Sequence, residues 1–123
     1  MPSRKRIVFP KRGEIFLVNF DPTIGSEIKK TRPAVILQND SANQYSPVTI
    51  VAAVSSQMDE RLYPTEVKLI PKESGLTVES VVLLNQIRTI DKQRLVKKLG
   101  QVKPETMKRI DRALLISCGL TDG

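Results

Sequence analysis

The chain has 123 residues, with 20 Lys and Arg against 13 Asp and Glu and a formal net charge of +7. That length fits one domain with a real core and is too short for two, and the charge favours nucleic acid or an acidic protein as partner. The absence of histidine removes the commonest general base and the commonest metal ligand, and a lone cysteine, Cys118, excludes an internal disulfide or a cysteine-built zinc site.

Residues 1–10 read as a basic N-terminal arm and residues 11–123 as a single domain; the arm carries Arg4, Lys5 and Arg6 and has no acid. It lacks the apolar segment of a signal peptide, and no later run has the length of a membrane span, so a cytoplasmic protein is expected. Glu14 to Phe20 is a strand with an apolar centre, stopped by Asp21-Pro22. Residues 21–31 form a loop with Gly25 near its middle. Pro33 to Gln38 is a second strand, with proline at a first position that needs no ladder donor. Asn39 to Pro47 is a polar turn region. Val48 to Ser55 is apolar on both faces and therefore a central strand. Thr65 to Leu69 alternates as a half-exposed strand, Ser80 to Arg88 is a fifth, and Leu95 to Val102 a sixth. A short helical turn is expected from Asp91. A longer helix starts at Pro104, with Glu105 at its positive end, Met107, Ile110 and Leu114 on one face, and Gly119 as a stop. Short strands followed by one helix predict a mainly β, α+β fold: a small, strongly bent antiparallel barrel with a C-terminal helix.

A chain without histidine can still cleave RNA, because the 2′-hydroxyl beside each phosphodiester is a built-in nucleophile. The protein has to align that oxygen with the phosphorus and stabilise the added negative charge. A guanidinium matches two phosphoryl oxygens, a hydroxyl can donate to the phosphate, and a carboxylate can orient the guanidinium or act as a base; no metal or other cofactor is needed. Glu27, Arg32 and Ser55 offer such a set. Each also has an ordinary role open to it. A strand-edge arginine is commonly solvated or salt-bridged, a serine ending a strand is commonly a turn residue, and Glu27 beside Lys29 and Lys30 is common surface charge.

The segments KRGEIFLVNFDPTIGSEIKKTRPAVILQND, SPVTIVAAVSSQ and VVLLNQIRTIDKQRL, in this order from Lys11 to Leu120, resemble the MazF/PemK family of toxin endoribonucleases, nearest its EndoA-like MazF type. The resemblance implies an SH3-like barrel of the kind shared with the CcdB gyrase poisons. It also implies a homodimer that cuts single-stranded RNA at short preferred sequences, and a MazE-like antitoxin whose acidic tail covers the RNA groove. By position in the family pattern, the catalytic arginine falls on Arg32, the catalytic hydroxyl on Ser55 and the acid of the GSE loop on Glu27. The family hydroxyl is often threonine; serine keeps the reactive group and loses the methyl that restricts its rotamer. Strand alternation admits one of Ser55 and Ser56 to the site, and the alignment selects Ser55. Lys29, Lys30 and Thr31 on the loop, with Arg88, are expected to meet phosphates, and Gln57, Asn85 and Gln86 to read bases. Phe20 and Tyr45 are candidates for stacking. A gyrase-directed poison on the same fold, or a barrel that only binds RNA, would not need both Arg32 and Ser55.

Overall fold

The computed structural model describes residues 9–57, 59 and 61–123. Residues 1–8, most of the basic arm read at 1–10, lie outside the described residues, as do positions 58 and 60. In chain order the elements are β1 (Glu14–Asn19), β2 (Thr31–Ile36), α1 (Asp40–Tyr45), β3 (Val48–Ser55), β4 (Glu66–Leu69), α2 (Pro71–Ser74), β5 (Ser80–Asp91), a 3-10 turn (Lys92–Arg94), β6 (Leu95–Gln101) and α3 (Pro104–Ser117). All strand pairs are antiparallel, in one sheet of order β4-β5-β3-β2-β1-β6.

Both faces of the sheet are covered, which is why its central strands read as unbroken apolar runs. On one face Ile15, Val35, Val54 and Leu84 pack against Ile110 and Ala113 of α3. On the other, Phe16, Val18, Phe20, Ala34 and Val51 form a second cluster, with Ile28 of the 20–31 loop packed against it. The sheet bends strongly at bulges. In β5 the register against β3 jumps from Ala52↔Ile87 to Ala53↔Leu83, leaving Leu84, Asn85 and Gln86 outside the regular pairing. The barrel is not closed by a ladder between β4 and β6. Instead α2 reaches β6, where backbone meets backbone: a Cβ on Gly100 would lie 2.0 Å from the Ser74 carbonyl oxygen, and one on Gly75 2.5 Å from that of Leu99.

Three elements depart from the pattern reading. β2 begins at Thr31, so Arg32 lies within a strand, paired with Val18 of β1. Its pairing with β3 starts at Ala34, just past the proline that has no N–H to give. The polar stretch after β2 is helical: Asn39 Oδ1 accepts the Ala42 N–H at 2.8 Å as an N-cap. The buried Asn43 there bonds Gln38 and Thr49, so the helix is held by polar partners and lacks an apolar stripe. α2, unassigned from the pattern, has Pro71 in its first turn and Gly75 at φ 80° as its left-handed cap.

Candidate active site

The β2–β3 ladder aligns Ala34 with Ala53, Val35 with Ala52 and Ile36 with Val51. The ladder ends at the first of these pairs, and two residues beyond it Arg32 and Ser55 stand on the strand faces of Ala34 and Ala53. Ser56 falls on the opposite face. Arg32 is half-buried, and its Nε donates to the Lys29 carbonyl at 2.9 Å. This bond fixes the guanidinium plane and leaves the two terminal nitrogens without a hydrogen bond among the described residues, a free fork of the kind that suits a phosphoryl group. Ser55 is buried at the end of β3, and its Oγ accepts the Gln57 N–H at 3.1 Å. The hydroxyl hydrogen of Ser55 remains a donor in that arrangement.

The loop before Arg32 is tied down by side chains from the far strands. Arg88 donates to the Phe20 carbonyl at 2.6 Å, Arg94 to the carbonyls of Asn19 and Asp21, and the Gln86 carbonyl oxygen accepts the Ile28 N–H at 3.3 Å. Gln86 Nε2 also reaches the Ser26 carbonyl at 3.5 Å. Gln86 can cross to the loop because it stands in the β5 bulge, where side chains are re-aimed. The last loop residue, Lys30, has φ 67°; its N–H donates to Asp21 Oδ1 at 3.0 Å and its carbonyl accepts from Phe20 at 2.9 Å. A left-handed conformation is uncommon for a residue with a Cβ, and here both backbone groups are satisfied, turning the chain sharply into β2.

Of the residues expected at the site, Arg32 and Ser55 lie two residues beyond the last paired positions of β2 and β3, Ala34 and Ala53, and Lys29, Lys30 and Thr31 are exposed just before Arg32. Glu27 is exposed and its carboxylate accepts the Ile24 N–H at 2.7 Å, capping its own turn. It is the Lys29 carbonyl that orients the guanidinium. Gln57 and Asn85 are exposed, whereas Gln86 and Arg88 are engaged with the loop. Phe20 is not available for stacking: it is fully buried, on the same face as Phe16 and Val18. Tyr45 is 79% exposed but ends α1, and the whole of β3, on the order of 23 Å of strand, lies between that end and Ser55. The pattern reading missed the hydroxyls of Thr77 and Ser80, which with Arg32, Pro33, Val54 and Ser56 line a pocket of about 190 Å³; the serine in this lining is Ser56, and the expected Ser55 is not part of it. No motif marks them; they reach the site because β5 pairs Val81 with Ser55. Arg94, too, was legible only as a charge.

The bent sheet backed by one helix has counterparts among known proteins. Residues 11–118 match the family described as PemK-like, MazF-like toxin of type II toxin-antitoxin system. The chain belongs to this family. It is 44% identical over 112 residues to the endoribonuclease EndoA of Bacillus subtilis (strain 168), covering 91% of this chain and 97% of that one. Among solved structures it is similar to MazF from Deinococcus radiodurans, with TM-score 0.79, 26% identity, and 92% and 99% of the two chains covered. It is also similar to a mycobacterial endoribonuclease in complex with its cognate antitoxin, with TM-score 0.74, 26% identity, and 93% and 99% covered. Among the described residues no helix is long and apolar enough to cross a membrane.

Proposed function

We propose that the protein is the toxin of a type II toxin–antitoxin system and acts in the cytoplasm as an endoribonuclease on single-stranded RNA. The 2′-hydroxyl attacks the adjacent phosphorus, and the 5′-oxygen of the next nucleotide leaves, giving a 2′,3′-cyclic phosphate and a 5′-hydroxyl end. Arg32 stabilises the charge that builds on the phosphoryl oxygens, and Ser55 donates its hydroxyl hydrogen to the phosphate or orients it. Glu27 serves the reaction only if the loop releases its carboxylate from the Ile24 N–H. Lys29, Lys30 and Thr31 guide the phosphates, and Gln57 and Asn85 read bases. The observation that supports this reading is the Arg32 guanidinium, whose terminal nitrogens have no hydrogen bond among the described residues, on the sheet face that also carries the Ser55 hydroxyl. Neither a gyrase-directed poison nor a passive RNA binder requires that pair.

One barrel offers a shallow surface, so the working form is a twofold dimer with a reaction site at each end of a shared groove, and the antitoxin competes with RNA for it. The test is cleavage of a long, weakly structured RNA by the purified protein in EDTA, with both new ends analysed. Cyclic phosphate and 5′-hydroxyl ends are expected, and an RNA with a deoxy sugar immediately 5′ to the cut should be inert. Metal-dependent cutting or a 5′-phosphate product would sink the mechanism.

A further inference from the structure

Three Phe and two Tyr are the only aromatic rings of the chain. Phe16 and Phe20 are buried in the sheet, and Tyr63 stands before β4, an edge strand. Phe9 and Tyr45 are 51% and 79% exposed, and both belong to the surroundings of one lysine. The Lys92 ammonium stands 5.5 Å from the centroid of the Phe9 ring. It also donates to the carbonyl of Asn43, two residues before Tyr45 in α1, and the Lys92 N–H donates to the Pro47 carbonyl at 3.0 Å. Below, the buried Asn43 accepts from Gln38 and Thr49, so the helix presents Tyr45 on a fixed base. The charge around these rings is positive. Arg4, Lys5, Arg6 and Lys11 all precede the first acid of the sequence, Glu14. The acids on the neighbouring turns are engaged: Asp40 accepts the Arg12 N–H at 2.7 Å and Asp91 the Gln93 N–H at 2.8 Å.

We infer that Phe9, Tyr45 and Lys92, with the cations of residues 4–6, form a second contact for single-stranded RNA, apart from the residues that act on the scissile phosphate. Unpaired bases stack on exposed aromatic faces, and lysine and arginine side chains hold the phosphates between them. Tyr45 belongs to neither apolar cluster, so the core does not account for it. Nor does the reaction site. Tyr45 precedes β3 and Ser55 ends it, so on the order of 23 Å of strand separates the two contacts. An RNA held at both therefore extends well past the sequence that is cut. The chemistry of the patch selects this occupant. A second copy placed here across a twofold axis would bring like charges together. An acidic protein segment would satisfy the cations but has no base to lay on the rings. The inference rests on the endoribonuclease reading for its substrate, and the contact adds affinity with no part in the chemistry.

The experiment uses the full chain and two RNAs: one that just spans a cut site, and the same RNA extended at both ends with oligoadenylate. KM and kcat are measured for each, and anisotropy follows binding of versions made uncleavable by a deoxy sugar at the cut. The unaltered chain should show a lower KM for the extended RNA. Tyr45→Ala should raise that KM about fivefold or more, the low end of what one stacked base is worth, and leave kcat unchanged. Tyr45→Phe keeps the ring and should keep the advantage. Arg4→Gln/Lys5→Gln/Arg6→Gln should flatten the dependence of log KM on log salt by about 2, at roughly 0.7 per lost phosphate contact. Neither Tyr45→Ala nor the triple variant should change KM or kcat on the short RNA. An extended RNA that gains nothing, or a gain that Tyr45→Ala leaves in place, overturns the inference while the nuclease reading stands. A loss equally large on the short RNA would place Tyr45 at the cut sequence, and altered sedimentation of Tyr45→Ala would make the patch a contact between copies; either overturns it. Absence of cleavage by the unaltered chain, with Tyr45-dependent binding of the extended RNA intact, would support the contact and count against the nuclease reading alone.

Discussion

Two segments cover the two faces of the sheet, and different forces hold them. α3 is held by burial: Ile110 and Ala113 are enclosed against Ile15, Val35 and Leu84, and the Ser117 hydroxyl donates to the Leu84 carbonyl at 2.6 Å. An Arg12–Asp111 ion pair ties the same helix to the start of β1. The 20–31 loop has one apolar anchor, Ile28, while Ile24 is 82% exposed. The rest of its attachment comes from Gln86, Arg88 and Arg94 donating to or accepting from its backbone. Burial gives a rigid back to the sheet, and directional polar bonds give a front that can be released locally without unfolding. Arg32 stands where the two regimes meet, at the first residues of a strand and the end of the loop.

The comparison is broken most forcefully from the back. Ile110→Ala should cost about 2–5 kcal/mol, because a fully buried side chain leaves a cavity that helix and sheet cannot close. Urea unfolding would measure the loss, and cleavage per folded molecule should stay unchanged. If activity falls in step with nothing but the folded fraction, the back is structural. A drop in intrinsic activity at full folding would mean that α3 transmits strain to the site.

From the front the expected effect is on rate alone. Arg32→Ala removes one preorganised donor and should slow cleavage about 10²–10³-fold. The one side-chain hydrogen bond it makes among the described residues, to the Lys29 carbonyl, predicts a stability change below about 1.5 kcal/mol. Ser55→Ala should be severe and Ser56→Ala mild, while Ser55→Thr should retain activity. Single-turnover rates on one RNA would decide it, and a reversed order for the two serines would mean that the strand is out of register with the reading.

Much of this arrangement was legible in the sequence because burial leaves a periodic trace. β3 is found at the expected Val48–Ser55 since both of its faces are enclosed, and α3 starts at the expected Pro104 since proline and an apolar stripe coincide. Phe20 was legible too, since period two puts it on the buried face with Phe16 and Val18. What the sequence could not show depends on departures from period. β5 runs to Asp91, past the expected end at Arg88, because the bulge changes which residues face inward and Asn85, Gln86 and Arg88 then look like a strand's end. The loop straps and the Thr77–Ser80 hydroxyls join the site only through that bulge and through strand pairing across distant residues. Arg32 and Ser55 themselves stood out by family pattern; that they share a sheet face follows from alternation along β2 and β3.

A smaller effect should follow from the loop's strongest strap. Arg88→Ala removes a charged bond to the Phe20 carbonyl and should cost about 1.5–3 kcal/mol at the loop. Hydrogen exchange should therefore rise at residues 21–30 while the protection of α3 stays as it was. Exchange rising equally in both segments would mean that front and back unfold as one unit, and the contrast between them would fail.

The smallest effect is the most discriminating. Gln86 accepts the Ile28 N–H and reaches the Ser26 carbonyl through bonds of 3.3 and 3.5 Å, long enough to be worth no more than about 1 kcal/mol together. Gln86→Ala should thus lower cleavage by roughly tenfold at most and leave thermal unfolding where it was. Two roles make different predictions for Gln86→Glu, which keeps the acceptor for Ile28 and removes the donor. If Gln86 serves as a strap, the carboxylate restores most of the activity, because the acceptor bond is the shorter of the two. If Gln86 leaves the loop to donate to a base, the carboxylate cannot replace it, and the set of cleaved sequences changes along with the rate. Mapping cut sites across one long RNA for the three proteins separates the cases. An unchanged set of sites with activity restored by Glu assigns Gln86 to the polar front, and a shifted set assigns it to the RNA.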